Sequence, residues 1–442
     1  IFDWIRMVYR SMEYFTTLGA ESSDSFSSSR GILQGDPLSP LLFILFLSDL
    51  TLPPDPDDVH LGPNDTPVPL LAQADDILGL SLSCPGLQRR LLFLAAWFGV
   101  QFLLVNASKS YAMAFGPLPV PLPSLRINEV AIAWVRTAKY LGARLSSTDA
   151  NIFLPTYVKQ SEKADFSGSR VSRLVKTMNG LPLRDIFHIY NARLDPLLTY
   201  GCEIMPDVTP TALRHLELSQ RSFIRARLAL HDSSLVAPLF TETGIWPLAF
   251  RRLTLAVRYF SFLVSLPTER LASVALQDSF LLHASGLPCW FGDLLAVSSN
   301  LVPNLLPLLL LKSPIERHII QSTISAAMTS ALTTSVLESS KLGLLRALHF
   351  RDRRGALLPP RLSFAPALQP YMKVPRDDPR NALIRLVFSS HRLASETLRH
   401  GNRRRPRIPL ELRLCRFCAL HVEDEAHALL QCAGDPFLIR LR

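Results

Sequence analysis

The chain has 442 residues, a net charge of +10 and six cysteines, with a pI near 9.5 and a mean hydropathy of +0.20. The length allows two or three domains; the scattered cysteines exclude a disulfide scaffold and point to a reducing compartment, nuclear or cytoplasmic rather than secreted. No apolar run reaches the ~18–20 residues of a membrane span, the sequence reads as lacking a signal peptide, and the basic excess favours a polyanionic partner, nucleic acid or an acidic membrane surface, or is ordinary solubility charge.

Residues 1–18 carry Phe2, Ile5, Val8, Tyr9 and Met12 at helical spacing, which predicts an amphipathic helix with Asp3 as a first-turn acid. The chain starts with Ile1, and Met7, its first methionine, falls inside that pattern; the sequence therefore reads as a piece of a longer frame. After a serine-rich turn comes Gly31-Ile32-Leu33-Gln34-Gly35-Asp36-Pro37-Leu38-Ser39-Pro40, a loop running into a helix with Ser39 as cap and Pro40 in its first position. Leu41–Leu47 is apolar all round and is expected to be buried. The run Pro53-Pro54-Asp55-Pro56-Asp57-Asp58 predicts a solvated loop rather than a metal cluster. Leu70–Leu82 reads as strand, tight turn, strand, with Asp75 and Asp76 at the tip. Paired carboxylates on a rigid hairpin suit Mg²⁺, although Asp-Asp turns are commonly only solvated.

The Gly31–Pro40 string followed by Ala74-Asp75-Asp76 resembles the reverse transcriptases of non-LTR (LINE-type) retrotransposons. The resemblance implies that Gln34, Gly35, Pro37 and Ser39 lie beside nucleotide and template, and that Asp75 and Asp76 hold catalytic Mg²⁺. Gln73 stands where the family has Tyr or Phe. It also implies that the strand bearing the first catalytic Asp lies upstream of Ile1, so that this chain alone is an inactive fragment.

Further on, Pro85–Gly99 predicts an amphipathic helix capped by Ser83, with Leu87, Leu91, Leu94 and Phe98 on one face and Gln88, Arg89 and Arg90 on the other. Phe102–Val105 and Tyr111–Phe115 read as strands flanking Asn106-Ala107-Ser108-Lys109. By resemblance Lys109 serves the phosphates, and Tyr140-Leu141-Gly142 forms the primer grip. From Phe153 to about Phe280 the period is helical. Thr209-Pro210 starts a helix bearing Arg214, Arg221, Arg225 and Arg227, and a second stretch carries Arg251, Arg252 and Arg258. Such rows suit a groove that tracks phosphates, or simply a solvated face. The string Leu198-Thr199-Tyr200-Gly201-Cys202-Glu203 also resembles the segment just after the palm in the family.

Residues 283–402 are leucine-rich, with a capping box Ser313-Pro314-Ile315-Glu316 opening a long helix. The tail couples basic Arg403-Arg404-Arg405-Pro406-Arg407 to Cys415, Cys418, His427 and Cys432 in a C-x2-C-x8-H-x4-C pattern. Two thiolates on a knuckle plus His and Cys from a following helix predict a Zn²⁺ site, with His421 a weaker competitor. Many LINE-type polyproteins end in such a module.

These readings combine into an α+β chain: a polymerase palm over 1–145, an α-helical thumb over 146–282, a helical linker over 283–402, and a basic segment with a zinc module over 403–442. The implied activity is RNA-directed DNA polymerisation with an RNA template, a DNA primer or target, dNTPs, Mg²⁺ and Zn²⁺. The competing reading is a non-catalytic nucleic-acid-binding relic or domesticated protein of the same family.

Overall fold

A computed structural model of the chain describes residues 2–10, 12–27, 32–33, 35–116, 121–178, 180–348, 361–399 and 406–441. The chain divides into two compact units, one of residues 1–112 with 116–134 and one of 113–115 with 135–442.

In the first unit, helix α1 (Phe2–Arg10) carries Asp3 in its first turn. It is shorter than the helix read over 1–18: Thr17–Leu18 (β1) instead pairs with Glu21–Ser22 (β2), and Tyr14 bridges Phe26. β-branched Thr16 and Thr17 followed by Gly19 favour that hairpin over a third helical turn. Helix α2 (Ser39–Leu47) has Leu38 at its N-cap, so Ser39 is the first helical residue rather than the cap. The Ser39 hydroxyl lies 3.3 Å from the Tyr9 hydroxyl, and Tyr9 donates to Asp36 at 3.2 Å. The expected burial of α2 does not occur: Leu41, Ile44 and Leu45 are all more than half exposed, and only Ser39 is buried. Apolarity on every face marks the helix as made for cover, but too little of the described chain packs on it to provide that cover.

Strands β3 (His60–Leu61) and β4 (Thr66–Pro67) pair across the next loop, and β5 (Leu70–Gln73) pairs antiparallel with β6 (Asp76–Gly79). Helix α3 (Cys84–Val100) is capped as expected, with Gly86 N–H donating to the Ser83 hydroxyl at 3.0 Å. The proline- and aspartate-rich loop is not freely solvated. Arg89 of α3 bonds Asp55 and Asp57, both at 2.7 Å, and Arg90 pairs with Asp58 where both are buried. Adjacent arginines on α3 thus clasp the loop, which accounts for its acids without a metal. Phe102–Val105 forms no strand; a 3₁₀ turn at Ala107–Lys109 follows, then β7 (Tyr111–Ala112). β8 (Arg126–Ile127) pairs with β9 (Val130–Ala131), and β10 (Ala133–Trp134) runs parallel to β7. Every described sheet has two strands. The core here is small: Ala95, Ala112, Leu125, Ile127 and Ile132.

The second unit opens with the hairpin of β11 (Thr137–Tyr140) and β12 (Ala143–Ser146). Helices α4 (Leu154–Thr177), α5 (Leu183–Arg193), α6 (Asp195–Thr199), α7 (Pro210–Arg227), α8 (Ala237–Thr241) and α9 (Leu248–Ser265) follow. After them come α10 (Leu271–Ala284), α11 (Trp290–Leu301), α12 (Leu306–Leu310), α13 (Arg317–Glu338), α14 (Gly343–Ala347), α15 (Asp377–Val387), α16 (Ala394–Thr397) and α17 (Pro436–Leu441). One apolar core runs from Tyr157 to Phe388, and it includes Leu216, Phe260, Phe291, Ile324, Met328 and Ile384. Each fully buried Leu, Ile or Phe adds roughly 1.5–3 kcal/mol of transfer free energy. Thr209 is the N-cap of α7, as read, but its hydroxyl accepts from Asn151 at 3.1 Å and makes no cap bond. The box at Ser313 is not used: α13 begins at Arg317, and the Ser261 hydroxyl bonds Ile315 instead. No helix among the described residues is long and apolar enough to cross a membrane.

Candidate functional site

Two places carry the residues singled out above. The first is the β5–β6 hairpin. Gln73 pairs with Asp76 across a two-residue loop of Ala74 and Asp75, and Ala74 takes φ +52°. A loop this short needs positive φ to match the strand twist. Asp75 and Asp76 are exposed, and among the described residues no third acid or histidine joins them in a metal-sized cluster. Asp75 closes the tip, whereas Asp76, read as a tip residue too, is the first residue of β6.

Gly31 and Gln34 lie outside the described residues. Gly35 is exposed and turns with φ +89°; Pro37 is exposed and Ser39 is buried. Lys109 ends its 3₁₀ turn, with its N–H held by the Asn106 side chain at 3.2 Å, and it is exposed. Among the described residues no ion pair joins it to Asp75 or Asp76.

In the second unit Tyr140, Leu141 and Gly142 form the tip of the β11–β12 hairpin, with Leu141 at φ +45° and Gly142 at φ +85°. The Tyr200 hydroxyl donates to the Leu141 carbonyl. A Cβ on Gly142 would collide with that hydroxyl, so only glycine fits. The structure thereby joins two strings read separately, Tyr140–Gly142 and Tyr200–Glu203.

The helical arginines are mostly committed within the protein. Arg221 pairs with Glu217 at 2.7 Å, Arg225 donates to Ser234, Arg227 to Ser172, and Arg251 pairs with Asp195 at 3.1 Å. Arg252 is 1% exposed and grips Asp207 while lying over the Tyr157 ring. A phosphate-tracking role for Arg252 is therefore ruled out: its guanidinium never reaches solvent.

The second place is the C-terminal cluster. The ligand atoms of Cys415, Cys418, His427 and Cys432 all lie within 4.8 Å of one another. Cys415 Sγ is 3.6 Å from Cys432 Sγ, and Cys418 Sγ is 3.2 Å from His427 Nε2. A zinc tetrahedron with bonds of about 2.3 Å has sulfur–sulfur edges of about 3.8 Å, so the four atoms are spaced to close on such an ion. His421 is exposed and outside the cluster.

Local chemistry builds this geometry. Leu414 bridges Val422, Cys415 N–H bonds the His421 carbonyl at 2.7 Å, and Ala419 takes φ +54°, which makes the Cys-x2-Cys turn a tight knuckle. The Asp424 carboxylate accepts the His427 N–H at 2.7 Å. His427–Gln431 is then a π turn, closed by Cys432 N–H to the His427 carbonyl at 2.8 Å. In an α-helix five residues would carry Cys432 about 140° past a full turn; the wider turn brings it back beside His427. A Cβ on Gly434 would meet the Phe417 and Cys418 backbone at 2.7–2.8 Å, so glycine alone lets the chain return over the knuckle.

The backbone N–H groups of Leu420 and then His421 lower the Cys418 pKa to about 6, a thiolate at neutral pH and ready for a cation. At Cys432 the Gly434 N–H acts downward, but burial and the neighbouring Cys415 and Cys418 sulfurs push the thiol up.

The cluster is not free-standing. Glu423, 1% exposed, accepts from Arg416 at 2.5 Å and from the Ala394 N–H at 2.6 Å, and His391 bonds Glu425 at 2.7 Å. Sequence reading places Glu423-Asp424-Glu425 at the start of the helix that presents His427 and Cys432; it misses the bonds of Glu423 to Ala394 and Arg416, and it misses His391 and Gly434 altogether. Asp424 carries a local signal, an Asx cap three residues before His427.

No family model matches the chain. Three curated proteins are similar to it. Two are retrovirus-related Pol polyproteins from type-1 retrotransposable element R2 of Popillia japonica. One is 28% identical over 214 residues, 46% of this chain and 28% of that protein; the other is 29% identical over 232 residues, 49% and 36% respectively. The third is a probable RNA-directed DNA polymerase from transposon BS of Drosophila melanogaster, 29% identical over 209 residues, 44% of this chain and 22% of that protein. The chain thus spans between about a fifth and about a third of the length of these relatives. It is a homologue of non-LTR retrotransposon Pol proteins, in keeping with its Gly31–Pro40 and Ala74–Asp76 strings, and its Cys/His cluster fits a zinc module.

Proposed function

We propose that this chain supplies part of an RNA-directed DNA polymerase of a non-LTR retrotransposon. The observation that carries the reading is the β5–β6 hairpin bearing the consecutive acids Asp75 and Asp76, preceded in the chain by the Gly31–Pro40 string. Relatives named as Pol polyproteins and as an RNA-directed DNA polymerase support it.

On this reading the two carboxylates would hold Mg²⁺, which when bound supplies charge neutralisation at the reacting phosphates. Gln34, Gly35, Pro37 and Ser39 line the nucleotide and template, Lys109 faces phosphate charge, and the Tyr140–Gly142 tip holds the primer end. The Cys415, Cys418, His427 and Cys432 set would hold Zn²⁺ and lock the C-terminal fold.

The second reading, a non-catalytic nucleic-acid-binding protein, is favoured by one observation: Asp75 and Asp76 gather no third acid among the described residues, whereas two-metal chemistry needs ligands on both sides of the ion pair. A graft separates the two. Residues 30–83 are exchanged into an active R2 polymerase in place of the corresponding stretch, and primer extension on an RNA template is measured. The polymerase reading expects extension that Asp75→Ala abolishes. A chimera without activity, or one indifferent to Asp75→Ala, favours the non-catalytic reading.

A further inference from the structure

Close to the metal cluster, in the same unit, lies an arrangement that neither the motif residues nor the metal ligands use. Ile408 N–H bonds the Leu398 carbonyl at 3.3 Å. Arg413 donates from Nε to the Ile408 carbonyl at 3.0 Å and from Nη1 to the Ser395 carbonyl at 2.6 Å. These bonds bring the neighbours of Leu398 and Ile408 together, so that Arg399, Arg407 and Arg413 form one cationic cluster. Burial and then the charges of Arg407 and Arg413 lower the pKa of Arg399, which places the three within each other's field.

Arg399 is also under-satisfied. Its Nη1 is shut off from solvent with no hydrogen-bond acceptor among the described residues. The Glu396 carboxylate stands 3.7 Å away, beyond hydrogen-bond range, and its other oxygen takes Lys341 at 3.0 Å. Nη1 thus keeps only a 3.7 Å ion pair to a carboxylate shared with Lys341; a guanidinium N–H without a hydrogen-bond acceptor costs free energy, and two further guanidiniums beside it leave cationic charge that one shared carboxylate does not offset. A tetrahedral oxyanion fits, because a guanidinium presents parallel N–H groups to two of its oxygens. Arg413 is buried and committed to carbonyls, so it frames the site, while the 35% of the Arg399 side chain that stays exposed and exposed Arg407 offer the contacts.

We infer that Arg399 and Arg407, framed by Arg413, form a phosphate-binding site for the backbone of a single nucleic-acid strand. Choosing a strand over free phosphate rests on the polymerase reading; the site itself does not involve Asp75 or Asp76.

The test uses the full chain with zinc, a short fluorescein-labelled RNA and the DNA of the same sequence, with binding followed by anisotropy across a salt series. Arg399→Gln with Arg407→Gln should make the slope of log affinity against log salt shallower by about 1.4, at about 0.7 per phosphate contact on a single strand. Arg399→Lys with Arg407→Lys, which keeps both charges, should recover most of that slope. Lys163→Gln with Arg170→Gln, exposed cations on α4, should change it less. Zinc content and circular dichroism report that each variant is folded, and if the Gln pair fails to fold the Lys pair and the phosphate competition decide. Equal slopes for wild type and the Gln pair, or an equal drop with the α4 pair, would overturn the site. Displacement of the strand by inorganic phosphate, at ionic strength matched with chloride, would overturn the strand in favour of free phosphate. The readout is salt-dependent strand binding and not primer extension, so failure here is distinct from failure of the polymerase reading.

Discussion

Replacing Arg252 with alanine tests whether the arginines of the helical unit serve structure or phosphate. Arg252 Nε and Nη2 bond the Asp207 carboxylate at 2.8–3.0 Å, and Nη1 bonds the Leu198 carbonyl at 2.8 Å. Asp207 also accepts from the Tyr157 hydroxyl at 2.7 Å, and the two charged side chains are 1% and 6% exposed. Removing the guanidinium leaves a buried carboxylate with Tyr157 as its remaining side-chain partner, and an orphaned Leu198 carbonyl. Breaking such a pair from one side costs about 3–5 kcal/mol, a large share of the 5–15 kcal/mol typical of a domain. At about 1.36 kcal/mol per tenfold, exchange of the α9 core amides at Leu253–Val257 should accelerate by roughly two to four orders of magnitude, read by native-state hydrogen exchange. Arg252→Met with Asp207→Leu removes both charges and should restore most of the protection. Duplex affinity of the folded fraction should not move. A single-variant loss below about 1 kcal/mol, the range of an exposed pair, would refute this account of the unit's centre.

Four further outcomes are expected. Elemental analysis of the reduced chain should find Zn²⁺, and Cys415→Ser should remove it and speed exchange at 391–399 as well as at 413–434, because Glu423 ties the cluster to Ala394; a metal-free wild type refutes this. Gly142→Ala should cost about 1–3 kcal/mol at the β11–β12 tip, and Tyr200→Phe should relieve part of that cost, since the hydroxyl is the nearest atom to the added methyl; equal hairpin exchange in glycine and alanine forms counts against it. Affinity for an RNA–DNA duplex should fall steeply with salt and show little sequence preference, checked by titration at low and moderate salt. On the polymerase reading, any primer extension by the chain with Mg²⁺ and dNTPs should be lost on Asp75→Ala; extension indifferent to that change counts against it.

Where chemistry is written locally, the sequence is legible. The α3 cap needs only Ser83 and its near neighbours, the β5–β6 turn needs only Ala74 and Asp75, and the C-terminal Cys/His cluster declares itself by spacing. The features that escaped depend on distant partners. The acid-rich loop looks solvated until Arg89 and Arg90 arrive from α3, more than thirty residues on. Arg252 looks like a surface cation until Asp207 is folded beside it. The burial expected of α2 is a statement about neighbours, and its own residues cannot supply them. Tyr200 and Gly142 are each unremarkable alone; their meeting is a tertiary fact. The segments 28–31, 349–360 and 400–405, with Arg403, Arg404 and Arg405, lie outside the described residues and leave those parts of the sequence reading as proposals.

The π turn and knuckle around Cys415–Cys432 carry one more consequence. All six cysteines are free thiols, so no covalent cross-link restrains the chain. An ion shared by Cys415 and Cys432 would close a loop of about 18 residues, and loop-closure entropy gives a link of that length about 3 kcal/mol of stabilisation by restricting the unfolded chain. Glu423 carries this restraint outward to Ala394, and Arg416 carries it to the Arg392 carbonyl. Zinc supply would thus act as a reversible staple, and the order of residues 391–399 and 413–434 would track metal availability.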